Sequence, residues 1–419
     1  MHLPKYLYNM NLKDSFKPGV DTVCYAGPYW GQREINAAIK SLTHGKWLTA
    51  GEEVHKFERE FSAYLGQGYS TMVNSGSSAN LVMLAALKKR FDWRDGDEII
   101  VSVSGFPTTV APILQNGLVP RFIDVEMDTL NFDLDAIGKA IRHNTQAIFI
   151  SPVLGNPPDM DRLVSISDKT GVALILDCCD SLGSRWRSNH LAKYAIASSF
   201  SFYPAHHICT GEGGMVTTDD KELSKIATSL VNWGRGCYCA GSNNLLSNGT
   251  CKNRFSTWLP GSNEVVDHRY VYTEIGYNMK PLDLQGAIGR VQLEKLDDMN
   301  SDRFYNKLVL HNSITSSIPG TKVPHSIQYD PIAWFAVPII TQTSELKQRL
   351  VSHFEAHKIQ TRPYFAGNIL RHPAFKSLDD ASNYPNADKV LKTVFFLGCS
   401  PTLSNEMLEY VKEVIEEFK

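Results

Sequence analysis

Four stretches of the chain carry side chains that could do chemistry. Each lies where a buried apolar run gives way to small or polar residues. "VNSGSSAN" (73–80) places Gly76, Ser77 and Ser78 just ahead of a helical pattern. Free backbone N–H groups at a helix start, flanked by small hydroxyls, form a cradle for a phosphate group. "SVSGFPTT" (102–109) ends a strand with Phe106, an aromatic ring that would project over the same crevice. "LILDCCDSLGS" (174–184) ends a strongly apolar run at Asp177. A carboxylate there either binds a cation or accepts a hydrogen bond from a protonated ring nitrogen. In "SFSFYPAHHICTGEGGMV" (199–216), Ser201 ends a strand, Pro204 turns the chain, and His206 and His207 sit side by side before a glycine-rich return.

Taken singly, these signals have ordinary explanations: a helix cap, a core aromatic, a salt-bridged Asp, a structural His. Taken together they are a phosphate cradle, a stacking aromatic, an Asp and, 29 residues after that Asp, a reactive side chain. Those are the parts that a pyridoxal phosphate site requires. The eight cysteines are also grouped, with Cys178 beside Cys179 and with Cys237, Cys239 and Cys251 within fifteen residues. That spacing fits a metal or cluster site, and equally a chance grouping of buried thiols.

The elements that must position these residues read as α/β. "EIIVSV" (98–103), "VPRFIDV" (119–125), "QAIFISPV" (146–153), "VALILD" (172–177) and "SSFSF" (198–202) read as buried strands. "SSANLVMLAALKKR" (77–90) and the residues after "FDLDA" and "PPDMD" have helical spacing. Repeated strand–helix–strand order predicts a mostly parallel sheet covered by helices on both faces, with ligands at the carboxyl ends of the strands. The expected organisation is an N-terminal arm and first helix over 1–40, a large α/β domain over 41–300 and a smaller α+β domain over 301–419. The segment 236–275, rich in Gly, Asn and Ser and holding three cysteines, reads as an insertion in the large domain. "AVPIIT" (336–341), a helix over 344–358 and a last helix capped by Ser404 belong to the small domain. A formal charge of −2 gives no reason to expect nucleic acid or a membrane surface. With no long apolar stretch and no signal-peptide h-region, a cytoplasmic location is expected.

The sequence resembles the sugar aminotransferases of nucleotide-sugar pathways, the DegT/DnrJ/StrS family of fold-type-I pyridoxal phosphate enzymes. The resemblance runs from "HGKWLTAGEEVHKFEREFSAYLG" (44–66) through the stretches above to "EIGYNMKPLDLQGAIGRVQLEKLD" (274–297). It implies that Phe106 stacks on the cofactor ring, that Gly76, Ser77 and Ser201 hold the phosphate, and that Asp177 pairs with the ring nitrogen. It also implies that sites lie between subunits of a homodimer, with Asn278 or Lys280 reaching a phosphate across the interface. His206 stands where the family has its cofactor-binding lysine. That departure is shared with the nucleotide-linked 4-keto-6-deoxyhexose 3-dehydratases of deoxysugar and lipopolysaccharide biosynthesis, which hold pyridoxamine 5′-phosphate noncovalently. One branch, typified by CDP-4-keto-6-deoxyglucose 3-dehydratase, also carries a [2Fe–2S] cluster on C-x57-C-x-C-x7-C and works with an iron–sulfur flavoprotein reductase. Here Cys179, Cys237, Cys239 and Cys251 give intervals of 57, one and eleven residues, the last being longer than the branch has. "TRPYFAGNILRHPAF" (361–375) also looks like this branch, whose members carry a similar segment near the sugar nucleotide. The alternatives are a cluster-free dehydratase of the GDP-4-keto-6-deoxymannose type and a catalytically silent aminotransferase-fold binding subunit.

Overall fold

Apolar runs buried on both faces make the strands of the first sheet. A computed structural model describes residues 16–237, 254–327 and 331–419. The seven strands of the first sheet are β1 (Tyr69–Val73), β2 (Glu98–Ser102), β3 (Val119–Ile123), β4 (Thr145–Ile150), β5 (Ala173–Asp177), β6 (Ala197–Ser201) and β7 (Gly214–Thr218). They lie in the order β1-β7-β6-β5-β4-β2-β3. Neighbours from β6 to β3 pair parallel, and only β7 runs against the rest. Helices α1 (Gln32–His44), α2 (Glu52–Leu65), α3 (Gly76–Arg90), α4 (Pro107–Gln115), α5 (Leu134–Ala140), α6 (Met160–Thr170) and α7 (Lys221–Val231) accompany it. The result is the expected mostly parallel sheet flanked by helices.

The alternation of side chains along β6 explains how the sheet presents polar groups. Phe200 and Phe202 point to one face and pack on Phe61 of α2 at ring-centroid distances of 5.1 and 5.5 Å. Ser199 and Ser201 therefore face the other way, toward the start of α3. Ser199 donates its hydroxyl to Asn80 Oδ1. The strand is thus fully buried although most of its residues are small and polar.

After α8 (Asp283–Glu294), the long helix α9 (Leu296–Ser317) leads into an antiparallel sheet of β8 (Thr321–Lys322), β9 (Ala336–Thr341), β10 (Thr361–Pro363) and β11 (Val394–Gly398), ordered β8-β9-β11-β10. Helices α10 (Ser344–Ala356), α11 (Pro385–Thr393) and α12 (Asn405–Glu417) complete this part, and Ser404 caps α12 through Met407 N. The described part of 236–275 holds two short paired strands, Phe255–Ser256 and Val266–Asp267. Cys239 and Cys251 lie outside the described residues. Among the described residues, no helix is long and apolar enough to cross a membrane.

Candidate active site

A cavity of about 600 Å³ opens where β2, β4, β5 and β6 end, with its far wall supplied by the second sheet and its approaches. The start of α3, Phe106, Asp177, Cys179, Ser201 and His206 all line it. The parallel topology gathers them, because each follows the carboxyl end of a strand or opens the helix that follows one.

The cradle is built by close approach. Ser75, not a residue of the following pair, caps α3 by accepting from Ser78 N at 3.1 Å. Gly76 and Ser77 are thus in the first helical turn, where N–H groups lack intrahelical acceptors. A methyl group at Gly76 would collide with the Cβ of Ser201, lying 2.7 Å from its Oγ and 3.1 Å from its Cα. Glycine at 76 is what lets the helix start and the end of β6 share one concave, polar surface that could take a phosphate.

Asp177 is 4% exposed and held by three donors. Asn80 Nδ2 donates to its Oδ2 at 2.8 Å, Thr109 Oγ1 to the same oxygen at 2.7 Å, and Cys179 N to Oδ1 at 3.2 Å. The amide of Asn80 is itself fixed, donating to Thr108 O at 3.0 Å and accepting from Ser199. A carboxylate so restrained presents one direction to a ring nitrogen. Phe106, at the N-cap of α4, is 52% exposed, and its ring meets Phe365 edge-on at 5.9 Å. An aromatic left open over a cavity fits a stacking surface for a planar ring.

His206 sits in a turn closed by its own N–H donating to Tyr203 O at 2.9 Å. Its Nδ1 lies 3.4 Å from Asp180 Oδ1, without an aligned hydrogen bond, and the ring packs on Phe335 at 5.4 Å. Burial and the Arg303 guanidinium push the imidazole down to about 4. Burial and the Asp177 charge lift Asp180 up to about 8. At neutral pH the imidazole is therefore an uncharged base beside a carboxyl that holds its proton. Among the described residues lining the cavity there is no lysine, and the one arginine is Arg362, stacked over the Tyr25 ring at 4.2 Å.

Other expected residues lie elsewhere. Asn278 and Lys280 are outside this cavity, with Lys280 hydrogen-bonded to Asn278 and seated over the Trp233 ring; burial and Arg235 push its amine down to about 8. Cys237 is buried, its Sγ 3.8 Å from His268 Nε2. Among the described residues, no group of three or more His, Cys, Asp or Glu side chains could hold a metal ion. The sequence reading passed over Asn80, Thr109, Asp180, Arg303 and Phe335. Only Asn80 left a local signal, standing one helical turn after Gly76.

A model of the DegT/DnrJ/EryC1/StrS aminotransferase family matches residues 30–416. The dTDP-4-dehydro-2,6-dideoxy-D-glucose 3-dehydratase of Saccharopolyspora spinosa is 38% identical over 380 residues, covering 88% of this chain and 81% of that protein. The lipopolysaccharide biosynthesis protein RfbH of Salmonella typhimurium is 36% identical over 412 residues, covering 96% and 93%. A crystal structure of GDP-4-keto-6-deoxymannose-3-dehydratase with a trapped PLP-glutamate geminal diamine superposes with a TM-score of 0.80 at 29% identity, over 94% of this chain and 100% of that one.

Proposed function

The chain belongs to the DegT/DnrJ/EryC1/StrS aminotransferase family, and within it we propose a pyridoxamine 5′-phosphate-dependent 3-dehydratase of a nucleotide-linked 4-keto-6-deoxyhexose. Its fold is that of the fold-type-I pyridoxal phosphate enzymes. The observation that carries the reading is a cavity that gathers the start of α3, Phe106, Asp177 and Ser201 around an uncharged imidazole, His206, with no lysine among its described lining residues. An imidazole cannot bind the cofactor covalently as an amine does, so the group is held by contacts alone.

Bound pyridoxamine phosphate supplies an amine for the C4 ketone of the sugar and a conjugated ring that takes up electrons. The rest falls to the chain. Gly76, Ser77 and Ser201 hold the phosphate. Phe106 covers the ring, and Asp177 keeps the ring nitrogen protonated. His206 would take the proton from the cofactor's C4′ carbon and return it to the C3 hydroxyl, which would leave as water. A second copy of the chain completes a homodimer in which Asn278 or Lys280 reaches the partner's phosphate. In this reading residues 41–300 form the cofactor domain, 301–419 the small domain and 1–40 the arm.

We further propose that Cys179, Cys237, Cys239 and Cys251 hold a [2Fe–2S] cluster, supplying low-potential one-electron transfer. This rests on the resemblance of their spacing to that of the cluster-bearing branch, from which only the last interval departs, and it calls for a separate iron–sulfur flavoprotein reductase as partner. A second reading dispenses with the cluster and regenerates the pyridoxamine form from glutamate. It is favoured by the likeness to the dehydratase structure in which glutamate was trapped on PLP. Anaerobic reconstitution with iron, sulfide and pyridoxamine phosphate separates the two. A visible charge-transfer spectrum lost in Cys239→Ser supports the cluster, while turnover without it, dependent on glutamate, supports the second reading. The main reading is tested on a panel of CDP-, dTDP- and GDP-linked 4-keto-6-deoxyhexoses by mass spectrometry. Failure to remove water from any of them, with or without reductase, sinks it.

A further inference from the structure

Helix α9 carries a polar stripe, Asn300, Arg303 and Asn306, spaced by three so that all lie on one face. Each donates to backbone carbonyls outside its own helix. Asn300 Nδ2 reaches Leu182 O at 3.1 Å, and Asn306 Nδ2 reaches Cys399 O at 3.3 Å and Ser400 O at 3.0 Å. Between them, Arg303 donates Nη1 to Phe335 O at 3.1 Å and Nη2 to His206 O at 3.0 Å. Arg303 is 1% exposed and does not line the cavity. A buried guanidinium is costly unless its geometry is well matched. Here the planar fork spans two segments that are 129 positions apart in the chain and that meet at the catalytic loop.

The second contact explains what the fork controls. The ring of Phe335 packs on the ring of His206 at 5.4 Å. Fixing both carbonyls therefore fixes the imidazole twice, once through its own backbone and once through the face that Phe335 presents. A neighbouring tie repeats the arrangement: His207 Nε2 lies 2.9 Å from Ala333 O. A carbonyl only accepts, so Nε2 is the protonated nitrogen of His207. Segment 331–335 is pinned on its other side as well, since Ala333 N donates to Ser184 Oγ at 3.0 Å and Phe335 N to Leu154 O at 2.9 Å.

We propose that Arg303 is a positioning residue for His206, aiming its imidazole into the cavity by holding the carbonyls of residues 206 and 335 in one fork, with His207 as the second tie. This rests on His206 being the base. Arg303→Lys keeps the charge but cannot span both carbonyls. It is expected to lower kcat by about 10- to 100-fold, as a misplaced group does, while KM and the Kd for pyridoxamine phosphate stay within about threefold. His207→Leu is expected to lower kcat in the same direction and His207→Gln, which still offers a donor, to recover most of it. In a His206→Asn background, Arg303→Lys should cost nothing further, because the group it aims is gone. A loss that persists in that background, or a parent-like kcat in both Arg303→Lys and His207→Leu, overturns the proposal. If His206→Asn alone has no effect, the reading of His206 as base fails instead. NMR of 13C-labelled histidine adds a readout that needs no substrate. Arg303→Lys should shift or broaden the His206 ring signal, and an unchanged signal counts against the proposal.

Discussion

Gly76→Ala tests how tightly the cradle is built. The added methyl would lie 2.7 Å from Ser201 Oγ and 3.1 Å from Ser201 Cα, against the roughly 3.5–4.0 Å at which nonbonded heavy atoms pack best. Relief needs a displacement on the order of 1 Å. It cannot come from a flexible tip, because Ser201 is buried and ends a fully buried strand. Overpacking of this kind costs about 1–3 kcal/mol, while alanine's helix advantage over glycine returns at most about 1 kcal/mol. Net destabilisation is therefore expected. The same displacement draws the N–H groups of Gly76 and Ser77 from the phosphate. Losing one charge-assisted hydrogen bond, worth about 1.5–3 kcal/mol, weakens binding by roughly 10- to 100-fold. Urea unfolding and a fluorescence titration with pyridoxamine phosphate read the two effects separately. Adding Ser201→Gly removes the Cβ and the Oγ that the methyl strikes, so the double variant should regain about 1–2 kcal/mol relative to additivity. An unchanged urea midpoint together with an unchanged Kd for the single variant would refute the close-packed cradle.

Phe106→Ala should leave stability within about 1 kcal/mol, since the side chain is 52% exposed. It should still weaken pyridoxamine phosphate binding about tenfold; equal losses in both would make Phe106 a packing residue. The pH profile of dehydration should lack a break near 6.5, because burial and Arg303 hold the His206 imidazole down at about 4 and it stays an uncharged base until the pH nears that value. A rate that halves near the ordinary histidine pKa argues against this environment. His190 is buried with both ring nitrogens unpartnered, and burial lowers it to about 4. Its folded pKa lies below its unfolded one, so stability is intact above about 6.5 and is lost as the pH falls toward about 4, by up to about 3 kcal/mol. The gap between urea midpoints at pH 7.5 and pH 5 should therefore narrow in His190→Phe without closing, since burial also holds His206 and His207 down, and a variant as acid-sensitive as the parent would locate the sensitivity elsewhere.

Much of the first sheet was legible because strands buried on both faces announce themselves as unbroken apolar runs. Strand β7 was not, since "GMVTT" looks like the tail of a glycine loop and is a strand only through its pairing with β1 and β6. Within the site, Asp177 was legible because a carboxylate ending an apolar run is locally anomalous. Its partners were not. Thr109 and Asn80 stand 68 and 97 positions away, and although Asn80 lies one helical turn after Gly76, nothing nearby links either residue to a shared acceptor. The far wall was harder still. Phe335 and Phe396 carry no local signal of a site, and only long-range packing sets their rings 6.1 Å apart with Phe335 against His206. Arg303 lies inside an ordinary helical pattern, and its burial comes entirely from long-range packing.

These long-range contacts bear on the reading of the chain as a silent binding subunit. A loop that merely lost its lysine has no reason to retain surroundings shaped to the replacement. Around residue 206 the opposite holds. An acid stands 3.4 Å from Nδ1, an aromatic ring packs on the imidazole at 5.4 Å, and a buried guanidinium grips its carbonyl. Each of these contacts lies within a cavity lining or a protein core where an unmatched polar group costs about 1–3 kcal/mol. These contacts suit a rigid, uncharged imidazole, and a binding subunit would need none of them. The contacts of Asp180, Arg303 and Phe335 with residue 206 are best understood as one assembly around an uncharged imidazole, which is what the proposed role of His206 as proton acceptor requires.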